Sequence, residues 1–130
     1  MKSLGVKTKK QKDRMNIRIM LIQLTHVPCF MPHGFANGYV GVPKGHPWFG
    51  KGINDIEVRI HGGLTYSEDR LPFRSPDGLW WVGFDTCHAF DDYENCDEDF
   101  CIDEVEKLRK QAEKASNLVI WRKKQLQRKP

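Results

Sequence analysis

The sequence predicts an α+β fold in which a small antiparallel sheet of three to four strands packs against one long C-terminal helix. Short β-rich segments separated by glycine and proline fill the first two thirds of the chain, and a single helical periodicity fills the last third. With 39% hydrophobic and 29% charged residues, the 130-residue chain has the composition of one folded domain.

Four segments have strand character. Residues 37–43 (NGYVGVP) end at a proline, which cannot donate to a ladder, and residues 79–85 (LWWVGFD) follow a proline-glycine turn. In residues 55–63 (DIEVRIHGG), apolar and polar side chains alternate with the period of two that marks a half-buried strand. Residues 16–24 (NIRIMLIQL) are apolar enough for a fourth strand, although a short helix is the alternative.

The helix is predicted between about residues 101 and 120. Apolar side chains recur there at steps of three and four, and acidic side chains precede the first turn, as the helix dipole prefers. One face of this helix should therefore cover one face of the sheet. The apolar positions are Ile102, Val105, Leu108, Ala112, Ala115 and Val119.

Charge is segregated along the chain although the net charge is only +4. We expect residues 1–15 to be a disordered basic leader, residues 16–120 to form a single α+β domain, and residues 121–130 to be a basic tail. Because no aromatic side chains interleave with the basic ones, solvated ends are favoured over a nucleic-acid surface. A domain this small also gains from homo-oligomerisation, so an oligomer is a further expectation.

No segment predicts membrane insertion or export. The longest apolar run, near residues 19–24, is far shorter than the ~20 residues of a spanning helix, and the basic start lacks the apolar core of a secretory signal. The expected location is the cytoplasm, where the four cysteines stay reduced. Acidic neighbours should raise the thiol pKa of Cys96 and Cys101, which opposes reactivity.

Side chains of catalytic type lie where two predicted strands end. His61 and Asp85 each end a strand, and His88 follows Asp85 by three residues, so one turn can direct them to a common point. We predict His61, His88 and Asp85 as catalytic residues, with His61 or His88 as general base and Asp85 as its orienting carboxylate. Asp91 and Asp92 are close enough in sequence to join them.

A phosphorylated ligand is the expected occupant of this site. Lysine and glycine amides bind phosphate, glycines allow close approach of the backbone, and an aromatic ring stacks a base. Trp48 lies on a glycine- and proline-rich loop, where an exposed ring would suit a nucleobase or an interface, although core packing is the more frequent role of any single tryptophan. The predicted ligand-binding residues are Lys44, His46, Trp48, Gly62, Gly63, Thr65, Tyr66 and Trp81.

Several chemistries remain open for this cluster. His46, His61, Asp85 and His88 offer ligands that zinc or manganese accepts, but their spacing matches no recognised metal motif, so the metal stays undetermined. Metal-free acid–base catalysis, ligand binding without a reaction and a structural hydrogen-bond network are the alternatives. No organic cofactor is predicted, because Walker and related motifs are absent. Whether the protein is an enzyme is left open.

Four motifs lie between Asn37 and Ala115: NGYV at residues 37–40, PKGHP at residues 43–47, HGGLTY at residues 61–66, and GFD-x-x-H ending at His88. Together they resemble a family of small uncharacterised proteins of bacteriophages and prophages. The resemblance implies a phage or prophage origin and supplies no activity.

The phage setting leads to a functional hypothesis. The protein is expected to bind, and in a stronger form to hydrolyse, a small phosphorylated ligand such as a nucleotide signal, and so to counter host defence. The alternative is a protein–protein interaction module that inhibits a host factor through Trp48, Phe49 and the acidic residues 91–99. A concave pocket around the histidines would favour the ligand, and an exposed Trp48–Phe49 patch would favour the host protein.

Overall fold

The computed structural model describes residues 3–6, 16–24 and 32–127. Within them an antiparallel sheet of five strands, in the order β1-β2-β3-β5-β4, packs through β2 and β3 against one helix. The predicted α+β class, with its antiparallel sheet and long C-terminal helix, is confirmed. The elements are β1 (Ser3–Val6), β2 (Arg18–Gln23), β3 (Ala36–Val42), a 3-10 turn (Ile53–Asp55), β4 (Tyr66–Glu68), β5 (Trp80–Phe84) and α1 (Glu98–Gln127).

The larger core lies between α1 and one face of the sheet. Val40 of β3 and Phe84 of β5 point toward Val105 and Leu108 of the helix, and all four side chains are buried. The buried helix positions recur at steps of three and four, as an amphipathic helix requires. The helix begins where the Asp97 carboxylate accepts the Phe100 amide at 2.9 Å, which satisfies one unpaired N–H of the first turn.

The opposite face of the sheet is also covered. Tyr39, Trp81 and Leu71 form a second, smaller buried cluster there. Gly41 lies directly opposite Trp81 in the β3–β5 register, and a Cβ at Gly41 would come within 2.9 Å of the indole. The glycine therefore makes room for the aromatic ring across the ladder. Both faces of the sheet carry apolar packing, which is why the strands read as nearly continuous apolar runs.

Within the segment 55–63, predicted to be a strand, residues 56–60 pair with no strand of the described chain, Asp55 belongs to the 3-10 turn, and residues 61–62 form a turn. Ile56 is buried and its neighbours alternate in exposure, so the period of two was real. The backbone of this segment bonds to helix side chains instead: the Arg59 amide donates to Gln111 Oε1 at 2.8 Å and the Arg59 carbonyl accepts from Gln111 Nε2 at 3.0 Å. Alternation reports a half-buried extended chain and does not identify its hydrogen-bond partner.

Three further differences concern element boundaries. Residues 3–6, inside the predicted disordered leader, form an edge strand, because the free edge of β2 accepts antiparallel pairing; most of the remaining leader lies outside the described residues. Residues 66–68 form a short strand that was not predicted. The helix continues through residues 121–127, into the predicted basic tail. Among the described residues, no helix is long and apolar enough to cross a membrane.

Candidate functional site

Two imidazoles converge on one buried carboxylate. His61 Nε2 lies 2.8 Å from Asp91 Oδ1, and His88 Nδ1 lies 3.2 Å from Asp91 Oδ2. The Asp91 side chain is only 6% exposed, whereas those of His61 and His88 are 26% and 34% exposed. The two rings meet edge to face with centroids 5.5 Å apart. We call His61, His88 and Asp91 the histidine–aspartate centre.

His88 and Asp91 are placed by the turn that follows β5. The Asp91 amide donates to the His88 carbonyl at 3.0 Å, and the His88 amide donates to Asp91 Oδ2 at 2.9 Å, so the turn is closed from both directions. Thr86, at the start of this loop, is fully buried and donates its hydroxyl to the Ala36 carbonyl at 3.0 Å. The Asn37 side chain accepts the Thr86 amide at 3.2 Å. The loop is thereby fixed to the start of β3.

His61 is placed by the helix and by a glycine turn. Its amide donates to Glu104 Oε2 at 2.9 Å, and its ring packs edge to face on Phe100 at 5.2 Å. Gly62 follows with φ +67°, and a Cβ there would lie 2.3 Å from the His88 ring. Only glycine allows both this backbone conformation and this approach of the imidazole.

The charge state of Asp91 follows from these contacts. Burial acts to raise its pKa, but hydrogen bonds from the His61 ring and the His88 amide outweigh it and hold the pKa of Asp91 below its ordinary value. The carboxylate is therefore ionised at neutral pH. Cys96 lies beside it, with Sγ 3.6 Å from Asp91 Oδ1, and burial together with the Asp91 charge raises the pKa of this thiol to about 12.

Asp91, and not the predicted Asp85, is the carboxylate that lies between the two imidazoles. Asp85 Oδ1 approaches His88 Nδ1 at 3.3 Å, and the same carboxylate also accepts the Cys87 amide at 3.1 Å. Asp85 therefore contacts one imidazole, whereas Asp91 contacts both. Asp85 remains at the site, on the more exposed side of His88.

His46, predicted as a ligand-binding residue, is a structural histidine. Its side chain is buried, its Nε2 bonds the Ala112 carbonyl at 2.7 Å, and its Nδ1 accepts the Trp48 amide at 3.0 Å. Burial lowers the pKa of His46, although the Ala112 carbonyl opposes this shift. Ala112 lies eight residues from Glu104, which is about 12 Å along the helix. His46 is therefore outside the histidine–aspartate centre.

The aromatic residues predicted to stack a base do not line this centre. Trp48 is 6% exposed and belongs to the helix-side core, so of the two alternatives the structure shows core packing, and Trp48 contributes almost nothing to an exposed Trp48–Phe49 patch. Trp81 and Tyr66 belong to the cluster on the opposite face of the sheet. Trp81 donates its indole N–H to Asp77 at 3.0 Å, and the Tyr66 hydroxyl bonds the Arg70 carbonyl. Large aromatics in short strands fill the core before they serve a ligand.

The remaining predicted binding residues are divided. Lys44 and Thr65 are exposed on separate loops. Gly62 and Gly63 have the positive φ expected of them, at +67° and +76°. The Gly63 amide donates to the Ile60 carbonyl at 3.0 Å, so it serves the turn and is not directed at a phosphate. Of the predicted ligand-binding set, Gly62 alone contacts a ring of the centre.

Three residues have contacts at the site that the sequence did not predict: Asp91, Glu104 and Cys96. The spacing of His88 and Asp91, three residues apart after a strand, was a usable signal for a shared turn. Glu104 was not distinguishable from the other acidic residues at the helix start. The rest of the acidic stretch is partly structural, since Asp92 Oδ1 accepts the amides of Glu94 and Asn95 at 3.0 and 2.8 Å.

The charges around the centre favour a cation. Asp85 and Asp91 bring two carboxylates to the two imidazoles, which attracts positive charge and repels a free phosphate, whereas nearby Glu104 is paired with Lys107 at 3.7 Å. One ligand atom each from His61, His88 and Asp91 fall within 4.8 Å of one another, a spacing that suits one metal ion. No protein-family model, curated protein or solved structure matches the chain.

Proposed function

We propose that the histidine–aspartate centre binds one divalent transition-metal ion, and that the open coordination positions of the metal hold a small phosphorylated ligand. The observation that carries the proposal is the convergence of His61 Nε2 and His88 Nδ1 on the two oxygens of buried Asp91. Two imidazoles and one carboxylate form a ligand set that zinc, manganese and iron(II) accept with positions left for a water or substrate.

The distances are those of hydrogen bonds, and the same atoms are close enough together to serve as ligands of one metal ion. Bonds of about 2.0–2.2 Å to nitrogen and oxygen place neighbouring ligand atoms roughly 3 Å apart. The observed nitrogen–oxygen separations are 2.8 Å to Oδ1 and 3.2 Å to Oδ2 of Asp91, so the imidazoles would turn from the carboxylate toward a common point to coordinate one ion.

A metal ion would also explain how a negatively charged site could bind a phosphorylated ligand. The sequence suggests a phosphorylated ligand, but Lys44 is not at the centre and the local charge is negative. A divalent ion held by His61, His88 and Asp91 would offset that negative charge, and would supply coordination for phosphate oxygens and a bound water of lowered pKa. In hydrolysis, Asp85 would take a proton from a water as its oxygen attacks phosphorus and the P–O bond to the leaving group breaks. Asp85 would then return that proton to the leaving oxygen and be a carboxylate again. The resemblance to phage proteins favours a nucleotide signal of host defence as the ligand.

Metal binding is tested by titrating the chelator-stripped protein with Zn²⁺ and Mn²⁺ in a calorimeter. We expect one ion per chain for the native protein and a loss of affinity of about 100-fold or more for Asp91→Asn, because removal of a ligand costs at least as much as removal of its hydrogen-bond partner. Asp92→Asn is the matched control, since its remaining carbonyl oxygen still accepts the Glu94 and Asn95 amides. Equal metal affinity in the two variants would contradict the proposal.

The phosphorylated ligand is tested separately by native mass spectrometry of the metal-loaded protein with linear and cyclic nucleotides. Retention of an intact nucleotide by the native protein, and not by Asp91→Asn, indicates sequestration. Appearance of a hydrolysed product indicates catalysis, and Asp85→Asn should then slow turnover while metal binding persists. If the metal-loaded protein neither retained nor hydrolysed any of these nucleotides, the phosphorylated ligand would be contradicted, and the proposed metal site would be unaffected.

A further inference from the structure

One side of α1 carries a row of exposed lysines. Lys107, Lys110 and Lys114 follow one another at steps of three and four, so they share one side of the helix. Lys107 has the Glu104 carboxylate at 3.7 Å. Among the described residues, Lys110 and Lys114 are in no ion pair. The row therefore presents positive charge to the solvent.

A fourth cation is held beside this row by a second element. Arg59 belongs to the segment that Gln111 fixes to the helix: the Arg59 amide donates to Gln111 Oε1 at 2.8 Å, and its carbonyl accepts from Gln111 Nε2 at 3.0 Å. A shallow depression of about 340 Å³ lies at this junction, and its lining has four cations and no carboxylate: Arg59, Lys107, Lys110, Gln111 and Lys114. We call its four cations the basic patch.

The stability of the helix does not account for the basic patch. Like charges three or four residues apart destabilise a helix, and the helix dipole favours cations only near the last turn. Lys107, Lys110 and Lys114 lie in the middle of a helix of 30 residues. A cluster of this kind, with its charges unneutralised, is typical of a surface that binds a polyanion.

Acidic residues near the basic patch do not neutralise it. Between positions 107 and 127, Glu113 is the only acidic residue, and it is paired with a buried arginine at 2.9 Å. Asp55 and Glu57 border an adjoining depression of about 920 Å³. Together with Glu104 they are fewer than the four cations of the basic patch, so the surface retains an excess of positive charge.

An exposed aromatic side chain lies in line with the basic patch. Trp121 follows Lys114 by seven residues, two helical turns further along the same side. It is 57% exposed, more than any other tryptophan of the chain. Trp121 and Arg122 line a third depression, of about 300 Å³. Basic and aromatic side chains therefore follow one another on the folded helix, a pattern that the sequence did not show.

We propose that this surface binds single-stranded nucleic acid, with the basic patch on the backbone phosphates and Trp121 stacked on a base. Single-strand binding surfaces combine a cationic track with aromatic side chains that stack on bases. From Lys107 to Trp121 the surface is about 21 Å long, which accommodates several nucleotides. A duplex fits less well, because its bases are already stacked in pairs. The inference does not depend on the metal proposed for the histidine–aspartate centre.

The contribution of the basic patch is tested by fluorescence anisotropy of a labelled oligo-dT of about 20 nucleotides, titrated with the full chain at several salt concentrations. Each phosphate neutralised on a single strand adds about −0.7 to the slope of log affinity against log salt. Lys110→Gln with Lys114→Gln should therefore make the slope shallower by about 1.4 and weaken binding about 10-fold or more.

Lys44→Gln with Lys51→Gln is the charge-matched control. Lys44 and Lys51 are exposed, and neither lines the depression of the basic patch. This variant should bind within about twofold of the native protein, because the phosphate contacts of the patch are intact. Equal losses in the two double variants would mean that net charge alone matters and would overturn the proposal. Absence of binding at about 100 μM protein would overturn it as well.

The role of Trp121 is tested in the same titration. Trp121→Ala should weaken binding about 10-fold, and Trp121→Phe should recover part of the loss, because stacking needs an aromatic ring. Phe73→Ala is the control, since Phe73 is 97% exposed on a loop elsewhere, and it should leave binding unchanged. Oligo-dT should also quench tryptophan fluorescence of the native protein and not of Trp121→Ala. Unchanged affinity in Trp121→Ala would contradict the stacking contact.

A duplex and an acidic polypeptide complete the test. Duplex DNA of the same length and poly-glutamate should both bind more weakly than oligo-dT, and Trp121→Ala should not affect either, because neither offers an unpaired base. If duplex DNA or poly-glutamate bound the native protein as tightly as oligo-dT, the surface would be a general polyanion site, and the proposal of single-stranded nucleic acid would be wrong.

Discussion

Two histidine environments lie against the same helix about 12 Å apart, and they behave in opposite ways. His46 contacts the Ala112 carbonyl and is 3% exposed. His61 is held over Glu104, and its ring joins His88 on a shared carboxylate at the surface. The sequence assigned all three histidines to one site, and the structure separates one from the other two.

The two environments differ in how many ring nitrogens are already hydrogen-bonded to the main chain and in how exposed the rings are. Both nitrogens of His46 bond the main chain, one to the Ala112 carbonyl and one to the Trp48 amide, so the ring is fully used and closed to solvent. At the histidine–aspartate centre, one nitrogen of each ring is directed at Asp91 while each ring remains partly exposed. A fully bonded buried histidine stabilises a fold, whereas partly exposed rings that share a charged group can exchange that contact for a ligand.

His46→Ala should give the largest loss of stability. The substitution opens a cavity beside Trp48 and removes the acceptor of the Trp48 amide, so we expect the free energy of unfolding to fall by about 2–4 kcal/mol. Zinc affinity of the folded protein should stay within about twofold of the native value, because His46 is two helical turns from the centre. Urea denaturation and calorimetry measure the two quantities.

His88→Ala is the complementary variant. We expect the unfolding free energy of the metal-free protein to change by only about 1 kcal/mol, because the ring is a third exposed, and zinc affinity to fall about 100-fold. If His46→Ala lost the metal and His88→Ala retained it, the distinction between the two environments would be wrong.

Two adjacent glycines, Gly62 and Gly63, allow a test of whether the position of His88 matters at the histidine–aspartate centre. Gly62→Ala and Gly63→Ala both place a side chain at positive φ, which costs about 1 kcal/mol in each case. The Gly62 Cβ would also lie 2.3 Å from the His88 ring, whereas a Cβ at Gly63 meets nothing within 4 Å. Gly62→Ala should therefore displace His88 and lower zinc affinity by about tenfold or more, while Gly63→Ala leaves it unchanged.

The difference between the two glycine variants is the quantity to measure. Backbone strain is common to both, so it cancels when their zinc affinities are compared by calorimetry. Equal affinities would mean that His88 moves aside freely and that its position over Gly62 is not required.

The fold was predictable because its signals are local. The β-branched run of residues 16–24, the proline after β3 and the helical spacing from residue 101 each depend on neighbours in the chain. The error at residues 55–63 has a different origin. Whether an extended segment bonds to a strand or to Gln111 of a helix depends on residues some fifty positions away, and the alternation is the same in both cases.

The site was predictable only in part. His61 and His88 were predicted from their positions near strand ends. Asp85 and Asp91 both follow β5, at intervals of three residues from His88. Only the direction of the turn decides which of these two carboxylates lies between the rings. His46 was assigned to the site because a loop rich in glycine and proline suggests exposure, and for Trp48 the sequence left core packing and exposure open. That loop in fact folds onto α1, where Trp48 is buried and His46 contacts Ala112.

Acid titration tests the environment of His46 with the smallest expected effect. Burial lowers the pKa of folded His46, whereas the unfolded chain has the ordinary value of about 6.5. Below pH 6.5 the unfolded state therefore takes up a proton that the folded state does not, so this contribution is complete above pH 6.5 and is lost as the pH falls. Its slope cannot exceed about 1.4 kcal/mol per pH unit for one proton.

The measurement is urea denaturation between pH 7 and 5 in a chelator, with His46→Gln as the variant that cannot titrate. The native protein should lose stability more steeply than His46→Gln over this interval. The contribution of Asp91 does not interfere, because its pKa is lowered from 3.8 and its stabilisation is lost only in more acidic solution. Parallel slopes for the two proteins would show that His46 accepts a proton in place, and its environment would then be less different from that of His61 and His88 than the burial implies.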